Sequence, residues 1–110
     1  MTRSITNLGH GTLSTSASAI VNASYTTKIT SNVFSNKSAA AVTVSVYYVE
    51  SGETTSSSGA FLGSKKIQPG RSWMFHELSG LNMAESANIY ASASANSAID
   101  YNISGDVINE

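Results

Sequence analysis

Apolar and polar residues alternate with period two along most of this chain. The clearest run is Ala39 to Glu50, where Val42, Val44, Val46 and Tyr48 fall on one face and Thr43, Ser45, Tyr47 and Val49 on the other. Alternation in β-branched and aromatic residues predicts a half-buried strand. The C-terminal third carries the same pattern twice. Ile89, Ala91, Ala93 and Ala95 alternate with Asn88, Tyr90, Ser92 and Ser94; after Asn96-Ser97, Ile99, Tyr101 and Ile103 alternate with Asp100, Asn102 and Ser104. Two such runs on either side of a polar break predict an antiparallel hairpin with one buried face. The prediction rests on pattern, because Ala and Ser have little strand propensity.

The remaining segments follow the same grammar. Residues 1–14, polar and centred on Gly9-His10-Gly11, predict an N-terminal arm or loop. Ser14 to Ser24 predicts a weak strand, and Thr26 to Asn36 a stronger one with Ile29, Val33 and Phe34, closed by a turn at Ser35–Ser38. Ser51 to Gly59 has no apolar residue, which predicts an exposed, mobile loop. Ala60 to Ile67 is a short strand, and Gln68-Pro69-Gly70 has the order of a type II turn. Arg71 to Leu78 predicts a strand with Trp73 and Phe75 on one face and Met74 and His76 on the other. Leu78 to Glu85 predicts an irregular crossing or a single helical turn. About seven short strands with no amphipathic helix predict an all-β fold, a single antiparallel β-sandwich over residues 15–110. Strand order alone does not separate an immunoglobulin-like sandwich from a jelly roll.

Composition narrows the function classes. With 110 residues the chain is one domain, and much of its 41% hydrophobic content is Ala, so bulky core side chains are few. A subunit of this kind draws stability from neighbours, which predicts a homo-oligomer. Charged residues are 12% and the net charge is −1, with the six Lys and Arg spread along the sequence; no nucleic-acid partner is expected. The absence of Cys removes disulfides, thiolate nucleophiles and cysteine-based metal sites. No apolar run has the length of a membrane span and the first residues lack a signal-peptide core, so a soluble product made in the cytoplasm is expected, with no membrane partner.

No residue set predicts catalysis, and the chain is expected not to be an enzyme. His76-Glu77 has no nucleophile or orienting group at a useful spacing, so His76 is expected at a sheet surface or subunit contact. His10 in its Gly-flanked arm is a flexible surface residue unless symmetry gathers several copies around a metal. Asp100 and Asp106 lack the dense Asp/Asn loop of a calcium site and are expected as solvated strand-end acids. Asn22-Ala-Ser24, Asn36-Lys-Ser38 and Asn102-Ile-Ser104 match the glycosylation pattern, without a secretory signal to use it. Gly59 to Gly63 lacks the Lys-Ser/Thr ending of a phosphate loop. Trp73 and Phe75 are expected to fill the core, or one of them to anchor an interface. The candidate partner interface is Leu8, His10, Leu13, Trp73 and His76; no catalytic, cofactor or metal residue is predicted.

The segment Thr27 to Val46, the turn Ile67-Gln-Pro-Gly70 and the run Ile89 to Gly105 together resemble small virion structural proteins of tailed bacteriophages. Those proteins share an "Asn-(Lys)-Ser" strand end, a Val-Thr-Val strand, a "Pro-(Ala)-Gly" turn and a final "Ala-Ser-Ala-x-x-Ala-Ile/Val-Asp" hairpin. The resemblance spans residues 13 to 108, with a departure at Asn82-Met-Ala-Glu-Ser86, where similar proteins have Leu-x-Ala-Gly-Asp. It implies a β-sandwich or jelly-roll subunit of the virion, without enzymatic activity or cofactor. The expected function is a capsid decoration or cement protein bound to the major capsid protein. A neck, tail, baseplate or fibre component is the alternative, as is a glycan-binding module using Tyr47, Tyr90 or Trp73. On this expectation, Leu8 to Leu13 order only within the particle.

Overall fold

The computed structural model describes residues 2–57 and 59–109. Nine strands fall among them: β1 (Thr2–Thr12), β2 (Ser18–Asn22), β3 (Thr26–Asn36), β4 (Val42–Val49), β5 (Phe61–Ile67), β6 (Ser72–Trp73), β7 (Asn82–Met83), β8 (Asn88–Ala93) and β9 (Ile99–Asn109). One sheet runs β1-β9-β3, with the far edge of β3 shared by β7 and β6; the other runs β2-β8-β4-β5. Every pairing is antiparallel. The fold is the expected all-β sandwich, and its strand order settles the topology. The pairs nest, β4 with β5, β3 with β6 and β7, β2 with β8, β1 with β9, as in one long hairpin rolled so that successive layers fall in opposite sheets. That is a jelly roll.

Alternation puts one face of each sheet inward. Val42, Val44 and Val46 of β4, Ile89, Ala91 and Ala93 of β8, and Ile99 and Ile103 of β9 are all buried in a single core with Phe34, Phe75, Leu78 and Met83. Phe34 and Phe75 meet edge to face, ring centroids 5.2 Å apart, in a favoured aromatic geometry.

The outer edge of β3 is satisfied piecewise by the segment that follows β5. Asn36 N–H donates to Arg71 O and Gly70 N–H to Asn36 O near one end, and Ile29 N–H to Leu81 O and Gly80 N–H to Ile29 O near the other. Between β6 and β7, the side chain of Asn32 takes the place of a strand: Nδ2 donates to Phe75 O at 3.0 Å and Oδ1 accepts from Phe75 N–H at 2.8 Å. Asn36, also buried, donates from Nδ2 to Ala40 O and Ile67 O and accepts from Ser38 N–H. No nitrogen or oxygen of these buried amides is left without a partner.

Several sequence expectations are corrected. Residues 87–105 are not a hairpin: β8 and β9 lie in different sheets, because both bury an alternating face into the same core and the break between them crosses from one sheet to the other. Residues 2–12, expected as an arm, form β1, paired along its length with β9. Leu8 is a bulge residue between Asn7 and Gly9 and packs against the core, and Leu13 is buried; both contact the core of their own chain. The strand expected over 71–78 shrinks to Ser72–Trp73, after which Phe75 turns inward and Met74 outward. Asp106 is buried rather than solvated.

Candidate functional site

Two margins of the sandwich concentrate features that packing does not explain. The first is β1, the outer strand of its sheet. Leu13 N–H donates to Ile99 O, 2.9 Å, and because N–H groups alternate sides along an antiparallel strand, those of His10 and Thr12 face away from β9. The strand's outer face carries a polar ladder. Asn7 Nδ2 donates to Asn102 Oδ1, His10 Nδ1 lies 3.2 Å from Asn7 Oδ1, Thr12 Oγ1 donates to Asp100 Oδ1 at 2.8 Å, and Lys37 Nζ pairs with the same oxygen at 3.0 Å. The Thr12 hydrogen bond, then Lys37, holds the Asp100 carboxyl below its ordinary value.

Sheet edges are templates for further strands, and proteins blunt them with charge, proline, bulges or brevity. β5 carries Lys65 and Lys66; β6 and β7 have two residues each, with Pro69 just before β6; β2 has five residues and a bulge. β1 has eleven residues, and from Ser4 to Thr12 its sequence contains neither charge nor proline. Its one bulge, at Leu8, lies on the side of β9.

The second margin lies where the free edges of β5 and β6 approach. Val44, an inward residue, stands opposite Lys65, and Phe34, also inward, opposite Trp73. Both partners therefore project into the open side of the sandwich, where Lys65 Nζ sits 4.2 Å from the centroid of the Trp73 ring. Apolar stem and aromatic face cover the core while the ammonium stays in water. Beside them a shallow pocket of about 230 Å³ is lined by Lys65, Lys66, Gln68, Arg71, Ser72 and Trp73. Met74, 63% exposed, follows Trp73 directly, whereas Phe61, 57% exposed, lies at the other end of β5.

The structure separates the five candidate interface residues. Leu8 and Leu13 face the core and His10 lies exposed on β1; Trp73, 37% exposed, and His76, exposed in the turn after β6, belong to the opposite edge of the same sheet. Phe75 alone of the aromatic pair fills the core. Sequence reasoning missed the gathering of Lys65, Lys66 and Arg71. The signal was present in the Gln68-Pro69-Gly70 turn, whose Gly70 has φ +72° and which folds the two cationic stretches toward each other. No group of three or more potential metal ligands occurs among the described residues.

No family model matches the chain, and no curated protein matches it. Among solved structures it is similar to a subunit from work titled "Bacillus endospore appendages form a novel family of disulfide-linked pili", with a TM-score of 0.59 and 11% identity over 98% of this chain and 88% of that one. The likeness is one of fold. It overturns the expected phage capsid function: the neighbour is a Bacillus endospore appendage and not a phage protein. The residues that suggested a virion protein have structural duties instead. Asn36 and Ser38 close the β3 end, Pro69-Gly70 makes the β5–β6 turn, and the Ala-Ser-Ala run is a central strand; any antiparallel sandwich has use for such features.

Proposed function

We propose that this chain is a non-enzymatic structural subunit that self-associates into a homopolymeric assembly held together without covalent cross-links. The observation that carries the reading is β1, a long sheet edge left without the devices that blunt the other edges. Addition of a strand from a second copy would satisfy the outward N–H groups of His10 and Thr12, the mode by which sheets commonly recruit partners. The fold likeness to a pilus subunit supports the reading. The contrast with that neighbour is chemical: its pili are disulfide-linked, whereas this sequence has no Cys, so contacts between copies must be hydrogen-bonded, apolar or ionic.

The test is light scattering coupled to size exclusion, with negative-stain microscopy, from micromolar to millimolar protein. The wild type is expected to form oligomers or filaments. His10→Pro removes one outward N–H at an edge position that tolerates proline and is expected to shift the protein to monomer, with His10→Ala behaving as wild type. A wild type that stays monomeric throughout the range overturns self-assembly; a proline variant that assembles normally removes β1 from it.

A further inference from the structure

We infer that the cationic pocket between β5 and β6 receives the acidic β4–β5 loop of a second copy, so that subunits join head to tail. The inference rests on the self-assembly reading and supplies it with a specific contact. Lys65, Lys66 and Arg71, three of the six Lys and Arg, surround one opening. Among the described residues none of the three lies within 4.0 Å of a carboxylate oxygen. Glu77, packed against Gly63, is the acid nearest this margin along β5, which leaves the pole at +3 − 1 = +2.

The opposite end of β5 has the reverse character. The loop that precedes it bears Glu50 and Glu53, both exposed, on a compact turn in which Glu53 N–H donates to Glu50 O at 3.0 Å and Glu50 N–H to Glu53 Oε1 at 3.3 Å. The seven residues of β5, at roughly 3.3 Å each, keep the two poles about 20 Å apart. At that separation the loop does not neutralise its own chain's pocket. The apolar surface is divided in the same way. Of the four exposed large hydrophobic residues, Phe61 adjoins the acidic loop, where it packs against Tyr47 with centroids 5.6 Å apart, and Trp73 and Met74 adjoin the cations. Each pole thus offers an aromatic group beside charge, with signs that complement between copies. A contact between two different surfaces of one molecule is heterologous and propagates unless its rotation closes a ring.

The experiment uses two double variants of the full chain, all four positions being exposed: Lys66→Glu with Arg71→Glu, and Glu50→Lys with Glu53→Lys. Sedimentation velocity is run at 50 and 500 mM NaCl. Wild-type association is expected to weaken at least tenfold at the higher salt, because exposed charges are screened. Each double variant alone, having two poles of one sign, is expected to associate at least tenfold more weakly than wild type, and an equimolar mixture of the two to recover it. Salt-insensitive wild-type assembly, or variants that assemble alone as wild type does, overturns the inference and leaves self-assembly standing. A mixture that fails to recover also overturns it, as does loss with Glu85→Lys but not with the loop variant, which would give the pocket a different acidic occupant. A wild type that never associates fails the broader reading first.

Discussion

Replacing Asn32 by alanine tests whether one side chain stands in for a missing length of strand. Asn32 is 2% exposed and Phe75 is 1% exposed, so without Asn32 the Phe75 N–H has no route to water, while Phe75 O keeps Leu78 N–H at 3.1 Å and Ser79 N–H at 3.3 Å. Leaving this one buried donor unpaired costs about 1–3 kcal/mol. A domain of this size has roughly 5–15 kcal/mol in all. At about 4 °C per kcal/mol, the melting temperature is expected to fall by roughly 4–12 °C. Guanidinium denaturation followed by circular dichroism and by the fluorescence of Trp73, the single tryptophan and two residues from Phe75, should show a lower midpoint at unchanged slope. Ser31→Ala, at the exposed neighbouring position, is the control and should stay within about 0.5 kcal/mol. Asn32→Asp keeps the acceptor for Phe75 N–H but sets a carboxylate against Phe75 O, so its loss should shrink on acidification, when the acid can donate. An alanine variant within about 0.5 kcal/mol of wild type, no worse than the control, would refute the idea that this amide closes the sheet.

Two other substitutions probe different physics. Gly105→Ala places a methyl well inside the carbonyl oxygen of Lys28 and 2.9 Å from Leu8 Cδ1; overpacking of this kind costs about 1–3 kcal/mol or more, whereas Gly52→Ala, with open space around it, should cost only the strain of its positive φ, about 1–2 kcal/mol. Asp100 has a lowered pKa from Thr12 and Lys37, so its contribution is present above the unfolded value and is lost as pH falls through the folded one; the midpoint should decline between about pH 5 and pH 2, less steeply in Asp100→Asn and in high salt. Burial raises the Tyr101 pKa from 10.0, so stability should be lost above about pH 10 and the alkaline decline should flatten in Tyr101→Phe, as read from the same denaturation curves.

Periodicity marked buried positions well and strand partners poorly, for a physical reason. In a sandwich both sheets turn their apolar faces to one core, so an alternating run identifies its inner face without naming its neighbours. Val42, Val44 and Val46 were legible in this way, and so was the Pro69-Gly70 turn. The β8–β9 connection was not, because Asn96-Ser97 has the polarity of a hairpin turn while its backbone serves both sheets: Ser94 N–H bonds Thr43 O, Ser97 N–H bonds Leu13 O, and Lys37 N–H bonds Ala98 O. β1 was missed because Gly9 and Gly11 are loop residues by propensity; at Gly9, a side chain would strike the carbonyl of Ile20, so the glycine is there for close approach between sheets. The cationic pocket depended on two edges meeting, which no local window contains.

The nesting of strand pairs also sets an order of events. If pairing begins at the β4–β5 tip, where the loop to be closed is shortest, each later pair closes around the one before it, and β1 with β9 closes last across nearly the whole chain. Loop-closure entropy and non-local pairing make such a sequence slow, on the scale of roughly milliseconds to seconds. During that interval the flank of β9 is vacant while β1 is still unattached. Dilution during refolding therefore favours the chain's own strand, and crowded refolding favours exchange between chains.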